Sequence, residues 1–196
     1  MKHVVVYFDY ISPYAYFAAE RLPELAMRSN LELEWKPIEL LKLSNYSEGL
    51  PYTEVKRRYV MTNAIRAAEF YGVSIAAPKP HPVESIPALH LALAALADPK
   101  FQELHSALFR AAWAEQRDVS SSQVLADCVE QVGGSPEWLA KSGQPGIARV
   151  LAENTAEAEA AGVFGAPSMV FEGELFWGLD SFAMLEWRLA HPRRHS

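Results

Sequence analysis

The chain has 196 residues and a mass of 21.8 kDa, enough for one domain with a core or for one domain that carries a large insertion. Half of the residues are hydrophobic and 21% are charged, so the composition predicts a folded chain and argues against intrinsic disorder. A formal charge of -6 argues against a basic nucleic-acid-binding face, and the lone cysteine, Cys128, excludes an intramolecular disulfide and two-cysteine redox chemistry.

The beginning of the chain predicts a strand, a helix and a second strand. Residues 3–9 are a continuous run of β-branched and aromatic side chains, which is typical of a strand buried on both faces. Serine suits an N-cap and proline suits the first helical position, so Ser12 and Pro13 predict the start of a helix that runs to about Arg28. Apolar residues recur with a shorter period over residues 31–38, which indicates the second strand.

The middle of the chain, from about residue 41 to 144, contains almost no strand signal. Its apolar residues recur with helical spacing, and glycine or proline separates the segments. A proline-rich loop occupies residues 77–82. The predicted helices cover residues 53–71, 86–97, 100–115 and 121–132, and a short one begins at Ser135-Pro136-Glu137.

The end of the chain returns to strands after a helix over residues 145–161. Residues 168–171 and 174–177 flank Glu172-Gly173 and predict a tight hairpin. Asp180 is then expected to cap a final helix over residues 181–190. The order predicts an α/β, thioredoxin-like fold with a large all-helical insertion. Residues 1–40 and 145–196 would form the discontinuous thioredoxin-like domain, and residues 41–144 the inserted α-helical domain.

Several features bear on location and on other classes of site. No apolar run approaches the roughly 20 residues that span a bilayer, and the N-terminus has one lysine and no small-residue cleavage site. We therefore expect a cytoplasmic protein with no membrane or nucleic-acid partner. Apart from His191 and His195 in the polar tail, the six histidines show no i, i+3 or i, i+4 pair, so no metal site is expected. Cys128 lies among apolar residues of a predicted helix, which favours a buried, inert thiol.

Two short segments indicate where the reactive centre of such a fold would lie. The reactive group of thioredoxin-like folds stands at the N-terminus of the first helix, where this chain has Ser12-Pro13-Tyr14-Ala15. Gly165-Ala166-Pro167 precedes the hairpin, and a cis proline there would leave the backbone N–H and C=O of Ala166 open to a peptide-like ligand. Taken alone, Ser12 also fits a plain N-cap and the second segment an ordinary turn.

Four segments together resemble the 2-hydroxychromene-2-carboxylate isomerase family, within the group of kappa-class glutathione transferases and DsbA-like proteins. The resemblance covers nearly the whole chain, and the order and spacing of the segments are more specific than any one of them. The segments are Phe8-Asp9-Tyr10-Ile11-Ser12-Pro13-Tyr14, Trp113-Ala114-Glu115-Gln116-Arg117-Asp118-Val119-Ser120, Gly162-Val163-Phe164-Gly165-Ala166-Pro167-Ser168 and Leu175-Phe176-Trp177-Gly178-Leu179-Asp180.

The resemblance implies glutathione as the cofactor and a homodimer as the assembly. It places Ser12 where a serine replaces the redox cysteine and binds the glutathione sulfur. A hydroxyl donor and the N–H groups of a helix start both favour a thiolate, so the serine itself needs no deprotonation. The other implied glutathione-binding residues are Lys56 for the glycyl carboxylate, Ala166 and Pro167 for the cysteinyl part, and Trp177, Gly178, Leu179 and Asp180 for the γ-glutamyl end. A helix N-cap remains an alternative for Asp180, and a solvated lysine for Lys56.

The chain departs from the family pattern mainly in the substrate half. A substrate-contacting lysine of characterised isomerases falls at Ser44, with Lys42 two residues away, and a tyrosine of the substrate pocket falls near His81. We expect Lys42, Ser44 and His81 to bind a small aromatic carboxylate substrate. Gly49-Leu50-Pro51 stands where the family often has asparagine before proline, so the exact substrate stays open.

The resemblance implies a glutathione-dependent isomerase of aromatic catabolism. In the family reaction a thiolate adds to a conjugated carbon of the substrate, the adduct rotates, and glutathione is released unchanged. A kappa-like glutathione transferase that releases a conjugate is the nearest alternative. A redox-inactive binding protein is another, whereas a DsbA-like thiol oxidoreductase is disfavoured because its two-cysteine motif is missing.

Overall fold

A mixed four-stranded sheet forms the centre of the computed structural model, which describes residues 2–48 and 53–191. The strands are β1 (Lys2–Phe8), β2 (Leu31–Pro37), β3 (Ser168–Phe171) and β4 (Glu174–Trp177), in the spatial order β2-β1-β3-β4. β1 pairs parallel with β2 and antiparallel with β3, and β3 pairs antiparallel with β4. The central position of β1 explains why most of its side chains are apolar.

The helices cover both the predicted insertion and the ends of the chain. Within the described residues they are α1 (Pro13–Ser29), α2 (Glu54–Tyr71), α3 (Ile86–Ala95), α4 (Phe101–Trp113), α5 (Ser122–Gln131), α6 (Glu137–Ser142), α7 (Pro145–Ala160) and α8 (Ser181–Ala190). Two 3₁₀ turns, Leu40–Lys42 and Ser44–Tyr46, follow β2 and were not predicted. None of the helices described is both long and apolar enough to cross a membrane.

The fold class predicted from the sequence is confirmed. Between β2 and β3 every regular element among the described residues is helical. β1 is buried on both faces, because Val4, Val6 and Phe8 join one core cluster while Tyr7 joins another. The first cluster continues from the sheet into α4, where Trp113 is fully buried, so the helical block packs directly on the sheet.

Of three local predictions near the ends of the chain, the Ser12 cap and the hairpin turn are confirmed and the Asp180 cap is not. Ser12 caps α1 as predicted, since its hydroxyl accepts a hydrogen bond from the Ala15 N–H at 3.3 Å. Glu172 and Gly173 both adopt the left-handed backbone that a two-residue hairpin turn requires. The predicted cap by Asp180 is wrong: Asp180 occupies the N-cap position of α8, but its helical backbone (φ -66°, ψ -19°) is not the extended one that turns a side chain onto the first N–H groups.

Candidate active site

A cleft of about 100 Å³ opens at the N-terminus of α1. Six segments of the chain form its walls: the start of α1, the 3₁₀ turns after β2, α2, the proline-rich loop before α3, the loop before β3, and the end of β4. The lining residues are Ile11, Ser12, Pro13, Tyr14, Leu40, Tyr46, Arg57, Val60, Met61, His81, Ala166 and Trp177. Most of these side chains are apolar, so the few polar groups among them decide what the cleft can bind.

Ser12 stands between α1 and the loop before β3. Its hydroxyl donates a hydrogen bond to the Ala166 carbonyl at 2.7 Å while it accepts one from the Ala15 N–H. The residue is only 7% exposed. The first N–H groups of α1 point toward this position and give it a positive potential, which favours an anion. A hydroxyl beside helix amides can therefore stabilise a negatively charged sulfur or oxygen.

The opposite wall is built by Ala166 and Trp177. The Ala166–Pro167 peptide bond is cis, as the sequence predicted. The Ala166 carbonyl already accepts the Ser12 hydroxyl, whereas no group among the described residues accepts a hydrogen bond from the Ala166 N–H. The Trp177 Nε1 is buried and also has no hydrogen-bond partner within the described residues. Two N–H donors at this wall thus remain for a ligand.

Gly165 permits the Trp177 side chain to lie where it does. A β-carbon built on Gly165 would stand 2.3 Å from Trp177 Nε1, which is far inside van der Waals contact. Any side chain at position 165 would push the indole away from the wall of the cleft. The glycine of the Gly165-Ala166-Pro167 segment therefore has a packing reason next to the predicted site.

Asp9 anchors the Ser12 loop from behind. Its carboxylate is 2% exposed and accepts hydrogen bonds from the N–H groups of Ile11 at 3.1 Å and Leu40 at 2.9 Å. Burial raises the pKa of Asp9 to about 6, although the hydrogen bonds from Ser85, Leu40 and Ile11 lower it in part. Because Ile11 and Leu40 both line the cleft, this carboxylate holds two of its walls together.

His81 is the predicted substrate residue that lies in the cleft. Its Nε2 donates a hydrogen bond to the Ile11 carbonyl at 3.3 Å, and its ring meets that of Trp113 edge-on at 5.5 Å. Burial lowers the pKa of His81, so the ring is neutral near neutral pH, while the hydrogen bond to Ile11 acts in the opposite direction. His81 thus presents a neutral aromatic surface to a ligand.

A buried aromatic network fixes the strand that leads to Ser12. The Tyr10 carbonyl accepts a hydrogen bond from Trp113 Nε1 at 2.8 Å, and the Tyr10 hydroxyl shares one with His105 Nδ1 at 3.0 Å. His105 is fully buried, and burial lowers its pKa to about 3. The network joins β1 to α4 and leaves little freedom to the residues that precede Ser12.

The remaining predicted site residues do not line this cleft. Lys56 lies on the first turn of α2, one residue before Arg57, and is exposed. Lys42 borders a neighbouring cavity that contains Asp9, and Ser44 is exposed, with its backbone N–H bonded to Glu159. Gly49-Leu50-Pro51 lies outside the described residues. Pro167 accepts a hydrogen bond through its carbonyl from the Gly178 N–H at 3.1 Å, which holds the start of the final segment beside the loop.

The segment predicted for the γ-glutamyl end borders a second cavity. Leu179 and Asp180 line this cavity between α2 and α8, together with Asn63, Phe70 and Tyr71. Asn63 Nδ2 donates a hydrogen bond at 3.2 Å to the hydroxyl of Tyr14, which lines the first cleft. The two cavities are therefore neighbours, separated by one side-chain contact between α1 and α2.

Several lining residues were not predicted from the sequence, among them Tyr14, Leu40, Tyr46, Arg57, Val60 and Met61. Tyr14 is part of the Ser12-Pro13-Tyr14-Ala15 segment, so its position next to the serine was an available signal. Arg57 directly follows the predicted Lys56, and only the rotation of α2 decides which of the two faces the cleft. Leu40 and Tyr46 lie in or beside short turns that have no periodic pattern.

Comparisons with known proteins agree with this architecture. The profile of the DSBA-like thioredoxin domain matches residues 3–190. The chain is 28% identical over 190 residues to a Sphingobium xenophagum protein named 2-hydroxychromene-2-carboxylate isomerase, covering 94% of this chain and 96% of that one. It is 26% identical over 180 residues to glutathione S-transferase kappa 2 of Caenorhabditis elegans, covering 86% of this chain and 80% of that one.

A solved structure of a 2-hydroxychromene-2-carboxylate isomerase superposes with a TM-score of 0.82 at 23% identity, covering 96% of this chain and 94% of the other. At that identity the superposition supports the fold alone. The family profile spans almost the entire chain, from the first residues of β1 to the last residue of α8. The chain therefore belongs to the family of DSBA-like thioredoxin domains.

Proposed function

We propose that this protein is a glutathione-dependent isomerase of small aromatic carboxylates of the 2-hydroxychromene-2-carboxylate type. One observation supports this most: Ser12, at the N-terminus of α1, lies 2.7 Å from the carbonyl that precedes the cis proline. This is the reactive position of the fold, and a hydroxyl there suits a bound thiolate rather than a disulfide. The relatives named as an isomerase and as a kappa-class glutathione transferase support the reaction and the cofactor.

The donor groups of the cleft fit glutathione. Glutathione is a peptide with two carboxylates, peptide carbonyls and a thiol, so it presents mainly acceptors when its thiol is ionised. The cleft offers the Ser12 hydroxyl, the helix amides behind it, the Ala166 N–H and the buried Trp177 Nε1. Asp180, in the neighbouring cavity, provides the carboxylate that an amino-terminal ammonium group requires. The set therefore contains a partner for the middle and for one end of the tripeptide.

Bound glutathione would supply a nucleophilic thiolate that adds reversibly to an electrophilic carbon. Ser12 would keep the sulfur ionised by turning its proton from the Ala166 carbonyl toward it, with the α1 amides adding positive potential. The Ala166 carbonyl would then be available to a backbone N–H of the tripeptide. The apolar walls, such as Leu40 and Met61, would exclude water and hold a flat ring against the sulfur.

Two alternatives use the same cleft. A kappa-like transferase would bind glutathione equally but release a conjugate, and a binding protein would release no product. Thiol oxidoreductase chemistry has little support, because Ser12 and Ala15 stand where that chemistry requires cysteines and Cys128 is 1% exposed on α5. Burial raises the pKa of the Cys128 thiol, so it is protonated and unreactive at neutral pH.

The activity can be tested with 2-hydroxychromene-2-carboxylate and glutathione. We expect product to exceed the amount of glutathione added many times over, because glutathione is regenerated. Ser12→Ala should lower kcat by about 10²-fold, the effect of removing one hydrogen-bond donor from a developing anion. Separation of the products by chromatography would distinguish the isomer from a glutathione conjugate.

Ser135→Ala provides a matched control. The Ser135 hydroxyl accepts a hydrogen bond from the Glu137 N–H at 3.2 Å, before α6 and away from the cleft. This variant should keep the wild-type rate. Stoichiometric conjugate in place of isomer would support the transferase, and turnover that survives Ser12→Ala unchanged would refute the role given to Ser12.

A further inference from the structure

The wall that α2 contributes to the cleft has a single charged side chain. Arg57, Val60 and Met61 line the cleft at spacings of three and four residues, which places them on one face of the helix. Lys56 lies about 100° around the helix axis from Arg57 and four residues before Val60, at the edge of that face, and it is not among the residues that line the cleft. Of the two neighbouring cations, the helix presents Arg57 to the cleft.

Arg57 has no carboxylate partner within the described residues. Its neighbour Arg58 has one, since Arg58 Nη2 lies 3.7 Å from Glu54 Oε1 on the preceding turn. No aspartate or glutamate lines the cleft either, and the other titratable cleft residue that can become a cation, His81, has a pKa lowered by burial. The cleft thus combines apolar walls with the charge of the exposed Arg57 side chain and the positive end of α1.

Of the three residues expected to bind the aromatic carboxylate, only His81 lines the cleft, and its ring is neutral. Ser44 is uncharged, exposed and tied to Glu159, and Lys42 borders the cavity on the far side of Ile11. A planar guanidinium suits a carboxylate better than a point charge does, because it can donate two parallel hydrogen bonds. We propose that Arg57 binds an organic carboxylate in this cleft and thereby makes the enzyme selective for anionic aromatic ligands. The inference rests on the proposed function for the identity of that ligand.

A pair of probes that differ only in charge tests this directly. Binding of 2-naphthoate and of its neutral amide, 2-naphthamide, is measured by calorimetry on the full chain. Wild-type protein should prefer the carboxylate by about 10-fold, the effect of one charged hydrogen-bonding contact that water partly screens. Arg57→Met should remove the preference, Arg57→Lys should keep part of it, and added salt should weaken it in the wild type.

Arg58→Met is the matched control, because it removes the same charge one residue along the helix on another face. It should leave the preference unchanged. A carboxylate preference that persists in a folded Arg57→Met variant, or one that the wild type lacks, would overturn the inference. If Arg57→Met does not fold, the carboxylate preference of Arg57→Lys provides the test, because it should be weaker than that of the wild type.

A second pair of ligands identifies the source of the carboxylate. Glutathione and its glycyl ethyl ester differ only at the glycyl carboxylate. Loss of discrimination between them in Arg57→Met would show that Arg57 holds glutathione, whereas loss confined to the naphthoate pair would show that it holds the aromatic substrate. These measurements involve no turnover, so a protein that binds naphthoate through Arg57 but forms no isomer keeps this inference and refutes the proposed function.

Discussion

The Ser12 hydroxyl has one proton and serves two structural contacts. It donates that proton to the Ala166 carbonyl and accepts the Ala15 N–H, so it is both an N-cap and a bridge between two walls of the cleft. Holding a thiolate requires the same proton. The serine can change its acceptor by rotating one bond, and the carbonyl that it leaves has a new donor in a bound peptide. The two roles of Ser12 are therefore compatible, and neither needs an ionised serine.

Asp9 contributes a pH dependence that can be measured without any ligand. Its pKa is about 6 in the folded chain, above the value of 3.8 for an unperturbed aspartate, because burial disfavours the charge. Between these two values the folded state binds more protons than the unfolded state. The contribution of Asp9 to the free energy of unfolding must therefore fall as the pH rises from about 4 to about 6.

We predict that this slope disappears in Asp9→Asn. The free energy of unfolding of the wild type, minus that of the variant, should fall by roughly 3 kcal/mol between about pH 3 and 7, with roughly 2 kcal/mol of this between pH 4 and 6, and stay constant above. Chemical denaturation at a series of pH values measures it. The wild type must be compared with the variant because His105, whose pKa is lowered to about 3 by burial, makes the free energy of unfolding rise with pH in both proteins. Subtracting the two curves removes this contribution.

Asp118→Asn is the control for the direction in which the free energy of unfolding changes with pH. Hydrogen bonds from the Ser120 hydroxyl and N–H lower the pKa of the exposed Asp118, so its contribution to stability should rise with pH instead. Parallel curves for the wild type and Asp9→Asn would show that the Asp9 carboxyl titrates alike in the folded and unfolded states. That result would contradict its role as a buried anchor of Ile11 and Leu40.

The contact between β4 and the loop before β3 shapes the cleft at the level of elements. Trp177 is the last residue of β4, and its indole occupies the space that a β-carbon of Gly165 would fill. Gly165→Ala should therefore displace the indole and weaken glutathione binding by about 10-fold, with a loss of 1–3 kcal/mol in stability from overpacking. Titration with glutathione and denaturant unfolding measure both effects.

Gly146→Ala is the matched control for this substitution. It introduces the same methyl group on α7, where the added carbon meets no described atom within 4 Å beyond its chain neighbours and its own helix backbone, and should leave binding unchanged. The backbone of Gly165 lies outside the left-handed region, so alanine meets no conformational penalty there. A Gly165→Ala protein with wild-type affinity would show that the position of Trp177 does not matter for the ligand.

The elements themselves were largely predictable because their signals are local. A proline at the first helical position and a serine cap defined the start of α1, and Glu172-Gly173 defined the hairpin turn. The 3₁₀ turns at Leu40–Lys42 and Ser44–Tyr46 had no comparable signal, since three residues cannot display a period. The Asp180 cap failed because a capping side chain requires an extended backbone, which depends on how the chain arrives from β4.

The composition of the cleft was less predictable than the fold, because residues from six segments of the chain meet there. Ser12, Ala166 and His81 were expected in a site and are brought together. Lys56 and Arg57 are both exposed, and the packing of α2, in which Ala64 and Ala68 face the core, makes Arg57 the one that lines the cleft. Lys56 was expected from its position in the family pattern, which does not describe helix rotation, and its role toward the glycyl carboxylate stays a prediction.

The whole chain has a net charge of -6, whereas the charged side chain among the described residues that line its cleft is a cation, Arg57. A ligand that binds only the folded state must stabilise all of it, since the sheet and the helices share one core cluster. We predict that glutathione at about 100 times its dissociation constant stabilises the protein by about 2.7 kcal/mol and raises Tm by roughly 5–10 °C. An equimolar mixture of glutamate, cysteine and glycine should give no shift in the same thermal scan.

We propose that Ser12 and the N-terminus of α1 hold a glutathione thiolate. The most direct measurement is the pKa of the bound thiol, followed by the ultraviolet absorbance of the thiolate as the pH is raised. The wild type should lower this pKa clearly below the value of about 8.5 for a free thiol, and Ser12→Ala should return it most of the way. A bound thiol that titrates like free glutathione, or one equally acidic in wild type and Ser12→Ala, would contradict the account.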